Sequence, residues 1–352
     1  MLLVQDVLAV TFRDCQGKSV SGKSTHMTNA ATLVVETETD LRQAIKALSQ
    51  VSTVRSLWHV LECWLSIGLA VSVSAVLFPL SEGLLGVVVY LGAVVVIAAR
   101  QHALMVLTHD GIHKRLSRSL WINDWLTRLT LAFPVFTSLS KWRFIHLYHH
   151  QSPHTADDPD RAIYARYPLE QRKLLRMLLR DLCGGNFLST LKYFMDVPFV
   201  AGSFNLRFLG KERLAQYQRV ADMRAFWIFW ALTLTGGLLI GGIRFVMFVA
   251  LYWLIPYCTM TQIFFRIRGA IEHGNVPDPQ DRYRQTRTYF LHPFLGFFFA
   301  PKQVNYHLEH HLYPSIPFYN LPLAHTVLQR QVYSRTHGYC EPFVTGIRKL
   351  ML

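Results

Sequence analysis

Two five-residue words, His146-Leu147-Tyr148-His149-His150 and His307-Leu308-Glu309-His310-His311, each place three imidazoles at positions i, i+3 and i+4. On a helix those positions share one face, so each word aims its imidazoles at a single point. His109 and His113 repeat the pattern at i and i+4, a spacing that suits paired metal ligands on one helix. Imidazole is the commonest nitrogen ligand for zinc, copper and iron. A lone histidine is ordinarily a hydrogen-bonded polar side chain. Half of the chain's 16 histidines falling into three ligand-spaced groups is a different case, because unpaired imidazoles gathered beside a membrane need a common partner.

The elements that must position them are apolar. The 352 residues are 51% hydrophobic and 13% aromatic, with a mean hydropathy of +0.21, which reads as a membrane protein. Leu57–Phe78 and Leu84–Leu107 form one expected hairpin, turned at Pro79 to Gly83. Ala225–Ile243 and Phe245–Ile267 form a second, turned around Gly241, Gly242 and Arg244. Each run is about 20 residues, enough to cross a hydrocarbon core. The expected fold is therefore an all-α integral membrane protein, with four transmembrane helices in two hairpins and a cytoplasmic helical cap carrying the histidine words. The expected divisions are a weakly structured 1–40, a single membrane domain over 41–340 and a tail over 341–352.

The net charge of +14 follows the membrane rather than a nucleic acid. The first hairpin turn has no Lys or Arg and the second has only Arg244, so the positive-inside rule puts both termini and all the histidine groups on the cytoplasmic side. A basic face there suits anionic membrane lipids and an acidic protein partner. The five cysteines are scattered without a Cys-x-x-Cys, which argues against a disulfide framework.

Along the chain, the first forty residues lack the pattern of a cleaved signal peptide. Gly17 to Ser24 matches the phosphate-loop pattern by letter, but without the surrounding strand, helix and nucleotide domain it is a chance match. Met27 is an alternative start. A surface helix is expected from a cap at Thr39 or Asp40, with Leu41, Ala44, Ile45, Leu48 and Val51 on one face. Leu120 to Phe136, interrupted by Pro134, reads as an interfacial or re-entrant helix. Asp157, Asp158 and Asp160 follow the second word and could orient its imidazoles; Asp110, Glu272 and Asn305, beside other histidines, are further candidates for that role. Leu174, Leu175, Leu178, Leu179 and Leu182, interleaved with Arg172, Lys173, Arg176 and Arg180, predict a basic amphipathic helix on the membrane, continued by 186–204. Asn320 and Pro322 predict a capped helix start. His273 ends the fourth run as His113 follows the second, and the spacing from each to the next histidine word is similar, so His273 is a ninth candidate ligand. His26, His59, His102, His154, His292, His325 and His337 lack such spacing and are read as structural.

The set His109-x3-His113, His146-x2-His149-His150 and His307-x2-His310-His311, spread over two hairpins, resembles the membrane fatty acid desaturase and hydroxylase superfamily. The stretch from Asn305 to Pro322 looks like the acyl desaturase branch, as does His150 to Asp160, and His273 matches an additional ligand of that superfamily. The absence of a His-Pro-Gly-Gly haem motif implies a separate electron donor, of ferredoxin or cytochrome b5 type. His307, in place of Gln, is unlike the front-end desaturases, and Gln151-Ser-Pro-His154 is looser than the usual acyl pattern.

Nine neutral imidazoles exceed what one ion accepts, which divides them over two ions with four or five ligands each. The resemblance makes these ions iron, with O2 as co-substrate and an acyl lipid or acyl thioester as substrate. Hydroxylation or ketolation of an alkane, sterol, carotenoid or specialised metabolite is the alternative among enzymes. A metal transporter is the remote one, because the apolar runs are read as keeping their ionisable residues at the ends.

Overall fold

The computed structural model describes residues 9–13, 19–23, 37–80, 83–195, 212, 222–333 and 338–352. Met27, His26, His337, the tip of the first hairpin turn and most of 196–221 lie outside the described residues. At the N-terminus β1 (Ala9–Arg13) pairs antiparallel with β2 (Ser19–Lys23), so the core of the phosphate-loop lookalike lies in a strand.

The helices follow in order: α1 (Glu38–Leu48), α2 (Thr53–Leu80), α3 (Leu84–Ile112), α4 (Leu120–Thr127), α5 (Leu139–Gln151), α6 (Arg161–Tyr164), α7 (Gln171–Leu182) and α8 (Phe187–Met195). After them come α9 (Met223–Phe248), α10 (Ile255–Cys258), α11 (Met260–His273), α12 (Pro293–Phe299), α13 (His307–Leu312), α14 (Leu321–Leu328) and α15 (Phe343–Lys349). α1 starts earlier than expected. Its cap is Thr37, whose side chain accepts from the Asp40 backbone N–H while Asp40 accepts from the Thr37 N–H, closing a capping box. Asn320 stands at the N-cap of α14, but its side chain donates to the Leu48 carbonyl at 2.8 Å and ties α14 to α1 instead.

Among the described residues, three helical runs are long and apolar enough to cross a membrane: Thr53–Leu77, Leu84–Ile112 and Met223–His273. The third is 51 residues long, about twice what one crossing needs, and is broken at Gly242, which takes φ +56°. A side chain at Gly237 would collide with the ring of Phe245. Residues eight apart on a straight helix are about 12 Å apart, so the chain folds back at this glycine, where little but glycine fits. Large apolar side chains on the outer faces, such as Leu61, Leu65, Leu69, Leu239 and Ile240, are exposed, as lipid-facing positions are.

The first run is not free of interior charge. Glu62 pairs with Arg100 at 3.1 Å and with Lys302, which corrects the expectation that ionisable residues keep to the ends.

Between α4 and α5 the chain passes through a π turn, Arg128–Ala132, and an irregular stretch whose Leu131, Ala132, Phe133 and Val135 are buried. Its carbonyls are served from outside. Trp64 donates to Thr130, Trp230 to Phe133, Trp253 to Pro134 and Tyr257 to Val135, all at 2.7–2.9 Å. Non-helical backbone survives at membrane depth only when other groups satisfy it.

The C-terminal stretch expected as a tail is folded. β4 (Cys340–Pro342) pairs parallel with β3 (Thr288–Phe290), and Leu350 is buried with its carbonyl accepting from the Leu169 N–H at 2.9 Å. Cys63, Cys183 and Cys258 are free thiols.

Candidate metal centre

Four helix ends bring the nine histidines together: His109 and His113 close α3, His146, His149 and His150 lie on α5, His273 ends α11, and His307, His310 and His311 lie on α13. Each end is held by side chains placed for that purpose. Ser138 caps α5 by accepting from the Lys141 N–H at 3.1 Å, and its hydroxyl donates to Asp222 at the start of α9 at 2.6 Å. Arg143 of α5 donates to the carbonyls of Gly111 and Ile112 at 2.9 and 3.0 Å and pairs with Asp124 at 2.6 Å, so one guanidinium locks the end of α3 to the helix bearing the second word.

Arg287 does the same for α11. It is fully buried, donates to the carbonyls of Ile271, Gly274 and Asn275, and pairs with Glu341 at 2.5 Å. The last carbonyls of a helix lack intrahelical partners, and a cation there also meets the negative end of the helix dipole. Glu309, between the imidazoles of the third word, faces away from them. It accepts from His325 at 2.5 Å, Tyr333 at 2.9 Å and Thr288 at 2.5 Å and fixes α13 in rotation.

The imidazole nitrogens fall into two sets. His109, His113, His146, His150 and His310 present nitrogens within 4.8 Å of one another. In this set the Nε2 of His146 lies 3.1 Å from that of His113 and 3.0 Å from that of His150, and His310 lies 3.1 Å from His150. The second set is His149, His273 and His311, again within 4.8 Å, joined by His307, whose Nε2 is 2.7 Å from His273 and 3.1 Å from His311. The stacked rings of His150 and His311, with centroids 4.2 Å apart, join the sets.

Both sets fit a cation. The Nε2 atoms of His109 and His149 are buried and have no hydrogen-bond partner among the described residues, an unfavourable state that a bound ion would relieve. Burial, and then neighbouring imidazoles, hold His146, His150 and His311 well below the usual histidine range, and burial pushes His113 down to about 3. Neutral imidazole is the form that ligates. His149 differs: burial would lower it, but Asp160 and Asp158 outweigh burial and raise it.

Asp158 accepts from His149 Nδ1 at 2.8 Å and is held by Tyr164 and the His154 N–H. The proton is thereby assigned to Nδ1, and the Nε2 lone pair faces the cluster. Asp160 lies 4.0 and 3.9 Å from the Nδ1 atoms of His146 and His149 and accepts from Tyr193 at 2.5 Å. The other carboxylates and amides named from sequence are placed differently. Asp157 is exposed. Asp110 accepts from the Phe318 N–H at 2.9 Å, and Asn305 donates to the Tyr289 carbonyl at 2.9 Å. Glu272 is buried beside His273 and His307.

Of the histidines set aside, His102 bonds the Phe298 carbonyl, His154 the Gln285 carbonyl and His325 Glu309. Tyr164, Tyr193, Arg143, Arg287 and Glu309 had no spacing to mark them, although Arg268 and Glu272 stand at i and i+4, a legible pair.

The fatty acid desaturase profile matches residues 85–343. The chain is 27% identical over 248 residues to the dihydrorhizobitoxine desaturase of Bradyrhizobium elkanii, covering 67% of this chain and 66% of that protein. It is 24% identical over 246 residues to the sn-1 oleoyl-lipid 12-desaturase of Picosynechococcus sp., covering 64% and 65%. It is also 24% identical over 327 residues to the sn-1 acyl-lipid omega-3 desaturase (ferredoxin) of Nostoc sp., covering 86% and 83%. The chain thus spans just under two thirds of the length of the first two relatives.

Proposed function

Because the chain belongs to the fatty acid desaturase family, we propose that it is an oxygen-dependent di-iron desaturase that introduces a double bond into an acyl chain. The observation that carries this reading is the convergence of nine imidazoles in two adjoining sets. In the proposal, His109, His113, His146, His150 and His310 hold one iron and His149, His273, His307 and His311 the other. The iron pair, when bound and reduced, supplies the activation of O2 that removal of hydrogen from an unactivated methylene requires.

The chain's own residues do the rest. Asp158 and Asp160 orient the imidazoles of α5. Trp142, Ile163 and Phe265 wall a small cavity beside His146 and His273 and give a methylene an apolar surface to pack against while water is kept out. Position decides which bond is desaturated, because a flexible chain reacts only where it is held against the centre.

An acyl lipid is the proposed substrate, in line with the relatives named for acyl-lipid substrates. A separate ferredoxin or cytochrome b5 type protein is the proposed donor, docking on the basic cytoplasmic face. Four spans, made by folding the third apolar run at Gly242, and cytoplasmic placement of both termini complete the reading.

The test is a reconstituted assay with O2, a reduced donor and candidate acyl lipids, read by mass spectrometry. Loss of two hydrogens, abolished in His149→Ala and His310→Ala, is the expected result. Gain of one oxygen would shift the reading to hydroxylation, and turnover without O2 would discard it.

A further inference from the structure

The two sets of imidazoles are unequal, five against four, and the smaller one has a carboxylate beside it. Glu272 is 2% exposed. One of its oxygens, Oε1, accepts from Arg268 Nε at 2.8 Å, while Oε2 lies 3.7 Å from the Nε2 of His307. Its oxygen and the nitrogens of His273 and His307 lie within 4.8 Å of one another.

Side matters here. Asp158 and Asp160 approach the Nδ1 edges of His149 and His146, behind the rings, where a carboxylate orients but does not ligate. Glu272 approaches His307 on the Nε2 edge, the edge that faces His273 and His311. At 3.7 Å the contact is too long for a hydrogen bond. It is the right length for two ligand atoms sharing an ion, since atoms about 2.1 Å from one metal lie roughly 3.0–4.2 Å apart. Arg268 balances the charge of the carboxylate through Oε1, which leaves Oε2 facing the imidazoles.

We propose that Glu272 is a direct ligand, through Oε2, of the metal held by His149, His273, His307 and His311, giving that centre one anionic oxygen that the five-imidazole centre lacks. This rests on the di-iron reading above. An N4O centre beside an N5 centre makes the two irons electronically distinct, with the carboxylate-bound iron the easier to oxidise.

The test uses the full chain, purified in detergent without oxygen and loaded with ⁵⁷Fe(II), read by Mössbauer spectroscopy and iron analysis. Wild type should hold two irons and give two ferrous doublets of equal area. Glu272→Gln, which keeps the shape and the bond to Arg268, should change or lose one doublet and leave the other in place. Arg268→Met, which keeps the carboxylate, should retain both irons and both doublets. Two irons in wild type with both doublets unchanged in Glu272→Gln would overturn the carboxylate assignment alone, as would an Arg268→Met spectrum that copies Glu272→Gln. A wild type without two irons would overturn both the assignment and the reading beneath it.

Discussion

Asp158 governs more of the centre than its position behind His149 suggests. It accepts from the Nδ1–H of His149 at 2.8 Å, from the Tyr164 hydroxyl and from the backbone N–H groups of His154 and Asp160. Removing its charge frees His149 to adopt the other tautomer, with its lone pair turned away from the cluster. Asp158→Asn should therefore lower metal affinity about 10–100-fold, the usual effect of losing such a partner, measured as iron retained during dialysis against graded chelator. Retention equal to wild type would mean that His149 is oriented by packing alone. All nine imidazoles and this aspartate were legible in the sequence, because ligand spacing is a local property of a helix. Tyr164, Tyr193 and Glu309 were not, because their partners depend on how α6, α8 and α13 pack, and a tyrosine has no spacing signature.

At the scale of elements, two arginines hold two of the four histidine-bearing helix ends. Arg143 closes α3 and Arg287 closes α11, each from outside the helix it closes. Replacing Arg287 with Met would leave the buried Glu341 paired with Lys349 alone, at 2.7 Å, and would free the end carrying His273. The expected outcome is a lower unfolding temperature and loss of iron from the four-imidazole set. Arg143→Met should instead release iron from the five-imidazole set, where His109 and His113 sit. The selectivity is the check: iron analysis showing equal loss from both sets in both variants would mean general unfolding rather than separate anchoring. The sequence disclosed that helices end near these histidines, because the second and fourth apolar runs, to Leu107 and Ile267, extend a few residues further to His113 and His273. What fixes those ends lies further along the chain, Arg143 31 residues beyond Ile112 and Arg287 13 beyond Gly274, and no helical spacing marks either.

For the whole molecule, the apolar runs and the basic distribution were readable from composition, because a bilayer imposes length and charge on every segment that crosses it. The break at Gly242 was marked by its glycines. The irregular stretch ending at Val135 was readable only as an interruption, since the Trp and Tyr donors that satisfy it come from α2 and from the long run 223–273. The four-span topology predicts that a cysteine introduced between Pro79 and Gly83 is labelled from the side opposite one introduced near Asp157. Labelling from the same side would remove that topology. The central claim is the pair of irons, and metal analysis of active protein purified in detergent tests it most directly. Two irons per chain are predicted, with activity lost as they are removed and regained as ferrous iron is returned; fully active protein carrying one zinc and no iron would contradict the account.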